Sequence, residues 1–517
     1  MSTAHRLISS SISSWATIGV TILSQLLLVP VYLTHWESTT YSVWLATQGI
    51  ITLIAVVDKS HQNFLGYEFL RIGIQSKEKL GVHLASGICF CIFIGIVQVL
   101  LILGAIQFGL LSSILSLDEL RDQPLIKASG YILLLQTITT LVFGSIGGII
   151  LRALIPFGYY PRLNWWGLWV AILNSLIPAI TVYQGGSLFA VGIATCVAIA
   201  FSGIPIYIDM KRLLRKEQIF IKRNSFSVGW TNFANSLILA GKDVLENVRQ
   251  QGIRLLLLPL AGSNALITFT TLRTGSNVAL QGLSTITNPL LPELMRFIHR
   301  RDQERVDAAF GTVLIVVAGL LCPIVVLLQS IMEPLFLTWT RGRITYDPYL
   351  FAMLSVGVLI YALAQPAISV VVGSNQTKSQ IRISIASVIA LITTLFILVP
   401  LIGVRGAGVG LLIAEIISCI SYVAVAQTWL RKNGLSWPNR SFGIAAISVG
   451  IAAVTVTLLP LLPSYKWIVL GNSLVLLLMN LWNYWQSLPT VATNRALAIF
   501  NSLPILKALF KTKTVNS

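Results

Sequence analysis

The sequence predicts an all-α polytopic membrane protein of about fourteen transmembrane helices, built as two parallel six-helix lobes plus two C-terminal helices. The first observation is composition: 55% of the 517 residues are hydrophobic and 10% charged, with mean hydropathy +0.81. A soluble chain usually carries about 25% charged residues. The second is that the apolar residues fall into blocks of roughly 18 to 25, enough for a helix to cross a hydrocarbon core of about 30 Å. The third is an internal repetition at an offset of roughly 220 to 230 residues, which divides the chain into six spans and six, with two more at the end.

The first block, Trp15 to Leu33, is too long for a signal-peptide core and has no small-residue cleavage site behind it, so it reads as a retained first span. Later spans centre near residues 49, 96, 142, 172, 198, 250, 274, 319, 360, 390, 416, 452 and 476. The loops between them are short; the longest, Leu110 to Lys127 and Asp209 to Ser227, hold about 20 residues and cannot fold as a catalytic domain.

The net charge of +18 does not point to nucleic acid, because most basic residues lie between apolar blocks, where positive-inside topology and anionic lipid account for them. A cytoplasmic N-terminus places roughly 26 of the Lys and Arg residues inside and about six outside, and the opposite orientation inverts that ratio. The inner loops then carry Lys211, Arg212, Arg215, Lys216, Lys222 and Arg223, and later Arg296, Arg300, Arg301 and Arg305. One outer loop carries Asp118, Glu119 and Asp122. Both termini are expected in the cytoplasm.

The repetition pairs Gln25-Leu-Leu-Leu-Val-Pro30 with Arg254-Leu-Leu-Leu-Leu-Pro259 and Glu68-Phe-Leu-Arg71 with Glu293-Leu-Met-Arg296. A third pair is Gly186-Ser-Leu-Phe-Ala-Val-Gly192 with Gly406-Ala-Gly-Val-Gly410. Six spans is an even number, so the halves share one orientation. The expected domains are an N-terminal lobe over 1–209, a cytoplasmic basic linker over 210–228, a C-terminal lobe over 229–430, two extra spans over 431–487 and a basic cytoplasmic tail over 488–517. That tail carries Arg495, Lys507, Lys511 and Lys513 among apolar residues, as a segment lying on the membrane surface does.

Span 7 breaks the apolar pattern. It carries Lys242, Asp243, Glu246, Arg249 and Arg254 where its first-half counterpart has Ser13, Ser14, Thr17, Val20 and Gln25. Each charge costs roughly 2.5 to 3.5 kcal/mol at a helix centre, so five cannot face acyl chains. A wheel at 100° per residue gathers them on one side with Asn247 and Gln250, opposite Val244, Leu245, Val248 and Leu255. In span 8, Thr270, Arg273, Asn277 and Gln281 follow at three- or four-residue steps. Together these stripes read as a hydrated basic wall. The alternative for 227–254 is an amphipathic interfacial helix with ordinary surface ion pairs, since Gly252 to Leu260 alone is too short to span.

Glu415 in span 12 fits either a helix–helix pairing or a role in transport, and Asp58 reads as a solvated helix end. Gly403, Gly406 and Gly410 sit in a span, where small residues let helices approach closely. The five histidines and five cysteines have no metal-ligand or disulfide spacing, and there is no nucleophile elbow, Walker sequence or paired-carboxylate motif. Neither cofactor nor metal is expected.

The run Leu258-Pro-Leu-Ala-Gly-Ser-Asn-Ala-Leu-Ile-Thr-Phe-Thr-Thr-Leu-Arg-Thr274, with Asn288-Pro-Leu-Leu-Pro-Glu-Leu294, resembles the second-half signature of polysaccharide and O-antigen flippases. These belong to the multidrug/oligosaccharidyl-lipid/polysaccharide (MOP) exporter superfamily. Tyr41-Ser-Val-Trp44, Leu337-Thr-Trp-Thr-Arg-Gly342 and Gly403-Val-Arg-Gly-Ala-Gly408 fit the same family, and the resemblance covers about residues 10 to 430. Such proteins often follow span 2 with Asp, an apolar residue and Gly; here the text is Asp58-Lys-Ser-His61.

The resemblance implies a transporter, not an enzyme, that flips undecaprenyl-diphosphate-linked oligosaccharides to the outer leaflet by alternating access, often coupled to an ion gradient. Its expected partners are the lipid-linked anionic oligosaccharide, membrane lipids, a polysaccharide polymerase and glycosyltransferases. Arg273, Arg254, Arg249, Lys242, Asn277 and Gln281 are the candidate substrate ligands, with Asp243, Glu246 and Glu415 balancing charge or coupling an ion. The alternatives are a cation-coupled multidrug exporter of the same superfamily and a membrane-embedded saccharide polymerase or ligase.

Overall fold

The computed structural model describes residues 3–221, 224–374 and 376–487. The expected basic tail, 488–517, and the linker residues Lys222 and Arg223 lie outside the described residues. Among the described residues there is helix and no strand. A hydrocarbon environment leaves no water for backbone groups, and the helix satisfies all of them within one segment.

The long helices are α1 Thr3–His35, α2 Ser38–Ile72, α3 Lys77–Gln107, α4 Gln123–Ala153, α5 Tyr160–Tyr183 and α6 Leu188–Lys216. A helical run from Phe226 to His299 follows, then α9 Gln303–Trp339, α10 Pro348–Gly373, α11 Thr377–Ile402, α12 Val404–Lys432, α13 Asn439–Leu461 and α14 Lys466–Ser487. Caps mark several starts: the Ser187 and Ser225 hydroxyls accept from Ala190 N and Val228 N, and the Asp347 carboxylate accepts from Tyr349 N and Leu350 N. In the α3–α4 loop, the Leu120 and Arg121 amides donate to the Asp118 carboxylate and hold it below its usual range.

Among the described residues thirteen stretches are long and apolar enough to cross a membrane, and one of them, Phe226–Val278, has 53 residues. It is two spans, because Gly262 breaks it with φ 81° and ψ 179°. In a straight helix Gln250 and Arg273 would stand about 35 Å apart, yet Arg273 Nη1 donates to Gln250 O at 2.8 Å. The chain therefore folds back at Gly262, which only glycine adopts without strain. Residues 226–261 are α7 and residues 263–299 are α8, so the long helices among the described residues number fourteen.

The first part of the expected basic linker is helix, since α6 continues through Lys211, Arg212 and Arg215 to Lys216. The interfacial alternative for 227–254 fails on packing: α7 lies along α2 and α3, burying Gly229, Asn232, Ser236 and Ala240.

Contacts divide the chain into two compact units. Unit 1 comprises Met1–Gly275, Leu337–Thr345 and Val388–Gly410, so it contains α1 to α7 and the start of α8. Its core joins α2, α3, α4 and α6 through Leu65, Phe69, Leu84, Ile149 and Met210. Unit 2 comprises Ser276–Phe336, Tyr346–Ser387 and Leu411–Ser517. There α13 and α14 pack with α9 and α10 around Val325, Leu359, Ala452 and Tyr484. Asn480 Nδ2 donates to Ile444 O and Ser448 Oγ, and Tyr484 donates to Gly311 O, so the last two spans are bonded into unit 2.

Candidate cationic site in the α7–α8 hairpin

Between Val248 and Gly252, α7 makes a π turn. An extra residue in a turn rotates everything beyond it by about 100° relative to an unbroken helix. This overturns the wheel drawn from the sequence. Asp243, placed there on the polar side, accepts from Ser60 Oγ of α2 at 2.7 Å, and Leu255, placed on the apolar side, packs on Gly49 of the same helix. Both face α2 because the π turn lies between them.

The turn also gathers the charges. Arg249 is 3% exposed and donates to Glu246 through Nε at 3.2 Å and Nη2 at 2.5 Å. Gln250 Nε2 donates to the same carboxylate at 3.4 Å. Arg273 reaches across the hairpin, where Gln250 accepts twice: its main-chain oxygen from Nη1 and its side-chain oxygen from Nη2. The Arg273 guanidinium lies 5.7 Å from the centre of the Phe269 ring one turn earlier, a cation–π contact. Glu246, Arg249, Gln250 and Arg273 thus form one connected group in which both guanidiniums are buried and the Glu246 carboxylate is partly exposed.

The other expected ligands divide. Lys242 lies one turn before Glu246 and acts on its carboxylate electrostatically, while Arg254, with a buried Nε that has no hydrogen-bond partner among the described residues, lies beside Tyr41. Tyr41 belongs to an aromatic cluster in which its ring stacks on Tyr32 at 5.4 Å and Tyr32 on Trp44 at 6.3 Å. Asp243 forms no ion pair among the described residues, and its carboxylate accepts from Ser60. Asn277, Gln281 and Glu415 belong to unit 2, where Glu415 is buried against Gly357 of α10.

One group went unseen in the sequence. Asp58 is not a solvated helix end, because α2 continues to Ile72 and the carboxylate is 4% exposed. It accepts from Ser145 Oγ at 2.5 Å, Gln62 Nε2 at 2.8 Å and Cys91 Sγ at 3.1 Å. Arg152 extends the network by donating to Gln62 Oε1 at 2.8 Å and Asn63 Oδ1 at 2.8 Å. Ser145 sits in a second π turn, Thr140–Ile146 of α4, which aims its hydroxyl at the carboxylate. The usable signal was the polar run Asp58 to Asn63, followed by Phe64 and Leu65 with no helix breaker.

No family model and no curated protein matches the sequence. Solved structures do. A MOP superfamily transporter from Pyrococcus furiosus, whose reverse polarity of the binding pocket suggests a different function, is 13% identical. The match covers 83% of this chain and 96% of that one, with TM-score 0.59. A MATE crystallised with MaD5 is 14% identical at TM-score 0.60, and an outward-facing multidrug resistance MATE family transporter is 15% identical at TM-score 0.60, with the same coverage. The chain has the fold of MOP superfamily transporters.

Proposed function

We propose that the chain is a flippase that carries an undecaprenyl-diphosphate-linked oligosaccharide from the cytoplasmic to the outer leaflet by alternating access, for cell-surface polysaccharide biosynthesis. The observation that carries this reading is the double hold of Gln250 on Arg273 beside buried Arg249. A guanidinium binds two phosphate oxygens in the same forked way, and it stays charged at every relevant pH. An arriving diphosphate replaces the Gln250 oxygens on Arg273, so the guanidinium exchanges one pair of acceptors for a charged pair and is never bare inside the membrane. Arg249, already half-balanced by Glu246, adds the second positive group.

The second reading is a multidrug exporter, and Asp58 favours it, because a buried carboxylate suits a cationic cargo or a coupling cation. Thermal unfolding of the full chain in nanodiscs separates the two. The flippase reading expects stabilisation by a polyprenyl-diphosphate-linked oligosaccharide that is lost in Arg273→Ala. Stabilisation by a lipophilic cation alone, lost in Asp58→Asn and retained in Arg273→Ala, overturns it.

A further inference from the structure

Three carboxylates lie in the loop between α3 and α4, and two of them brace it. Asp118 accepts from the amides of Leu120 and Arg121, and Asp122 accepts from the amide of Asp118. Glu119 has a different setting. The chain turns at Gly109, φ 65°, into the short helix Leu110–Leu115. There the Ser112 hydroxyl shares its hydrogen between Gly109 O at 2.7 Å and Glu119 Oε1 at 2.9 Å. A Cβ on residue 109 would lie 3.4 Å from that carboxylate oxygen. Ser112 thus steadies Oε1, and Oε2 has no hydrogen-bond partner among the described residues.

Glu119 borders a cavity of about 480 Å³ between the last turns of α3 and the first turns of α4, within the roughly 300 to 1,000 Å³ of small-ligand sites. The α4 wall is a single helix face, on which Gln123, Lys127, Tyr131 and Leu134 follow at three- or four-residue steps. That face grades from charge to hydrocarbon, since Leu134 lies about 10 Å further along the helix than Lys127. Leu103 and Ile106 of α3 add to the apolar part. Gly130 leaves room for them, as a Cβ there would come within 3.1 Å of Ile106 Cδ1. Tyr131, whose ring meets Phe189 of α6 edge to face at 6.2 Å, stands near the end of a span, where tyrosines mark the headgroup level. Glu119 and Lys127 are both exposed, and neither joins an ion pair among the described residues. Two opposite charges on one cavity, unpaired with each other, complement a ligand that carries both.

We infer that this cavity binds a zwitterionic phospholipid with a primary ammonium, a phosphatidylethanolamine. Its phosphate meets Lys127, its ammonium donates to Glu119 Oε2, and an acyl chain follows Leu103, Ile106 and Leu134. A quaternary ammonium has no N–H to donate, so phosphatidylcholine loses the charge-assisted hydrogen bond. An anionic headgroup such as phosphatidylglycerol leaves the Glu119 carboxylate facing a negative charge. The site shares no residue with the cationic hairpin and holds lipid whatever the cargo is.

Full-length protein extracted from vesicles of equal parts phosphatidylethanolamine, phosphatidylcholine and phosphatidylglycerol tests it, with the retained lipids counted by native mass spectrometry. The parent should retain phosphatidylethanolamine over phosphatidylcholine by about tenfold, the factor of one hydrogen bond to a charged group. Glu119→Gln should bring that ratio close to parity. Lys127→Gln should lower retention of both zwitterionic lipids alike and leave their ratio in place. Both side chains are exposed, so neither change strains the fold, and Ser112→Ala, which releases Glu119 Oε1, should weaken the preference part-way. Equal retention of the two zwitterionic lipids by the parent, a preference that survives Glu119→Gln, or phosphatidylglycerol as the lipid retained most overturns the proposal.

Discussion

Gln250 holds Arg273 at two points across the Gly262 reversal, the main chain accepting from Nη1 at 2.8 Å and the side-chain amide from Nη2. A ligand for Arg273 must displace an acceptor of equal geometry and greater neutrality, which is what a phosphate does. Gln250→Glu puts a carboxylate in that position, and the ion pair competes with substrate. Transport should fall about tenfold, the equivalent of roughly 1.4 kcal/mol, with membrane insertion unchanged. A rate at or above the parent's would show that Gln250 is not exchanged during loading.

Asp58 collects hydrogens from α2, α3 and the π turn of α4. In Asp58→Ala these three donors lose their acceptor inside a buried seam, and each unsatisfied group costs about 1–3 kcal/mol. The midpoint of thermal unfolding in detergent should drop by several degrees, and Asp58→Asn should drop less because its amide oxygen still accepts. Equal stability of Asp58→Ala and the parent would mean that the network carries no load.

The glycines of the α11–α12 turn behave as close-packing residues. A Cβ on Gly406 would lie 2.6 Å from Leu398 C and 2.7 Å from its carbonyl oxygen, and backbone cannot swing away as a side chain does. Gly406→Ala should therefore cost about 1–3 kcal/mol by overpacking. Gly410→Ala, whose Cβ would meet Leu391 and Thr394 side chains at 3.4–3.5 Å, should be tolerated. Comparing the two melting midpoints checks this, and equal losses would refute it.

The helix count and the breadth of charge in span 7 were legible because both depend on local composition: a run of about 20 apolar residues spans regardless of its neighbours, and five charges in one span stand out. The turn at Gly262 could be placed between spans centred near 250 and 274 for the same reason. Which side each charge faces was not legible. A π turn at Val248–Gly252 leaves no mark in residue type, yet it turns Leu255 onto the helix that Asp243 also touches. Asp58 was missed on similar grounds, since its three donors come from residues 62, 91 and 145, and only the packing brings them together.

The Lys/Arg asymmetry predicts that both termini face the cytoplasm. Reporter fusions after Arg223 and Arg301 should read as cytoplasmic, and those near Gly185 and Ser263, at the far ends of α5 and α7, as external. The reverse pattern would contradict the orientation while leaving the fold untouched.

Arg273 is where the account is most exposed, and the most direct test is flipping of a polyprenyl-diphosphate-linked oligosaccharide in proteoliposomes by the parent, Arg273→Lys and Arg273→Ala at equal protein content. Lysine keeps the charge but loses the fork, so Arg273→Lys should retain part of the rate, and Arg273→Ala should lose most of it while still inserting in the membrane. An Arg273→Ala protein that inserts normally and flips at the parental rate would contradict the assignment of the hairpin as the diphosphate site.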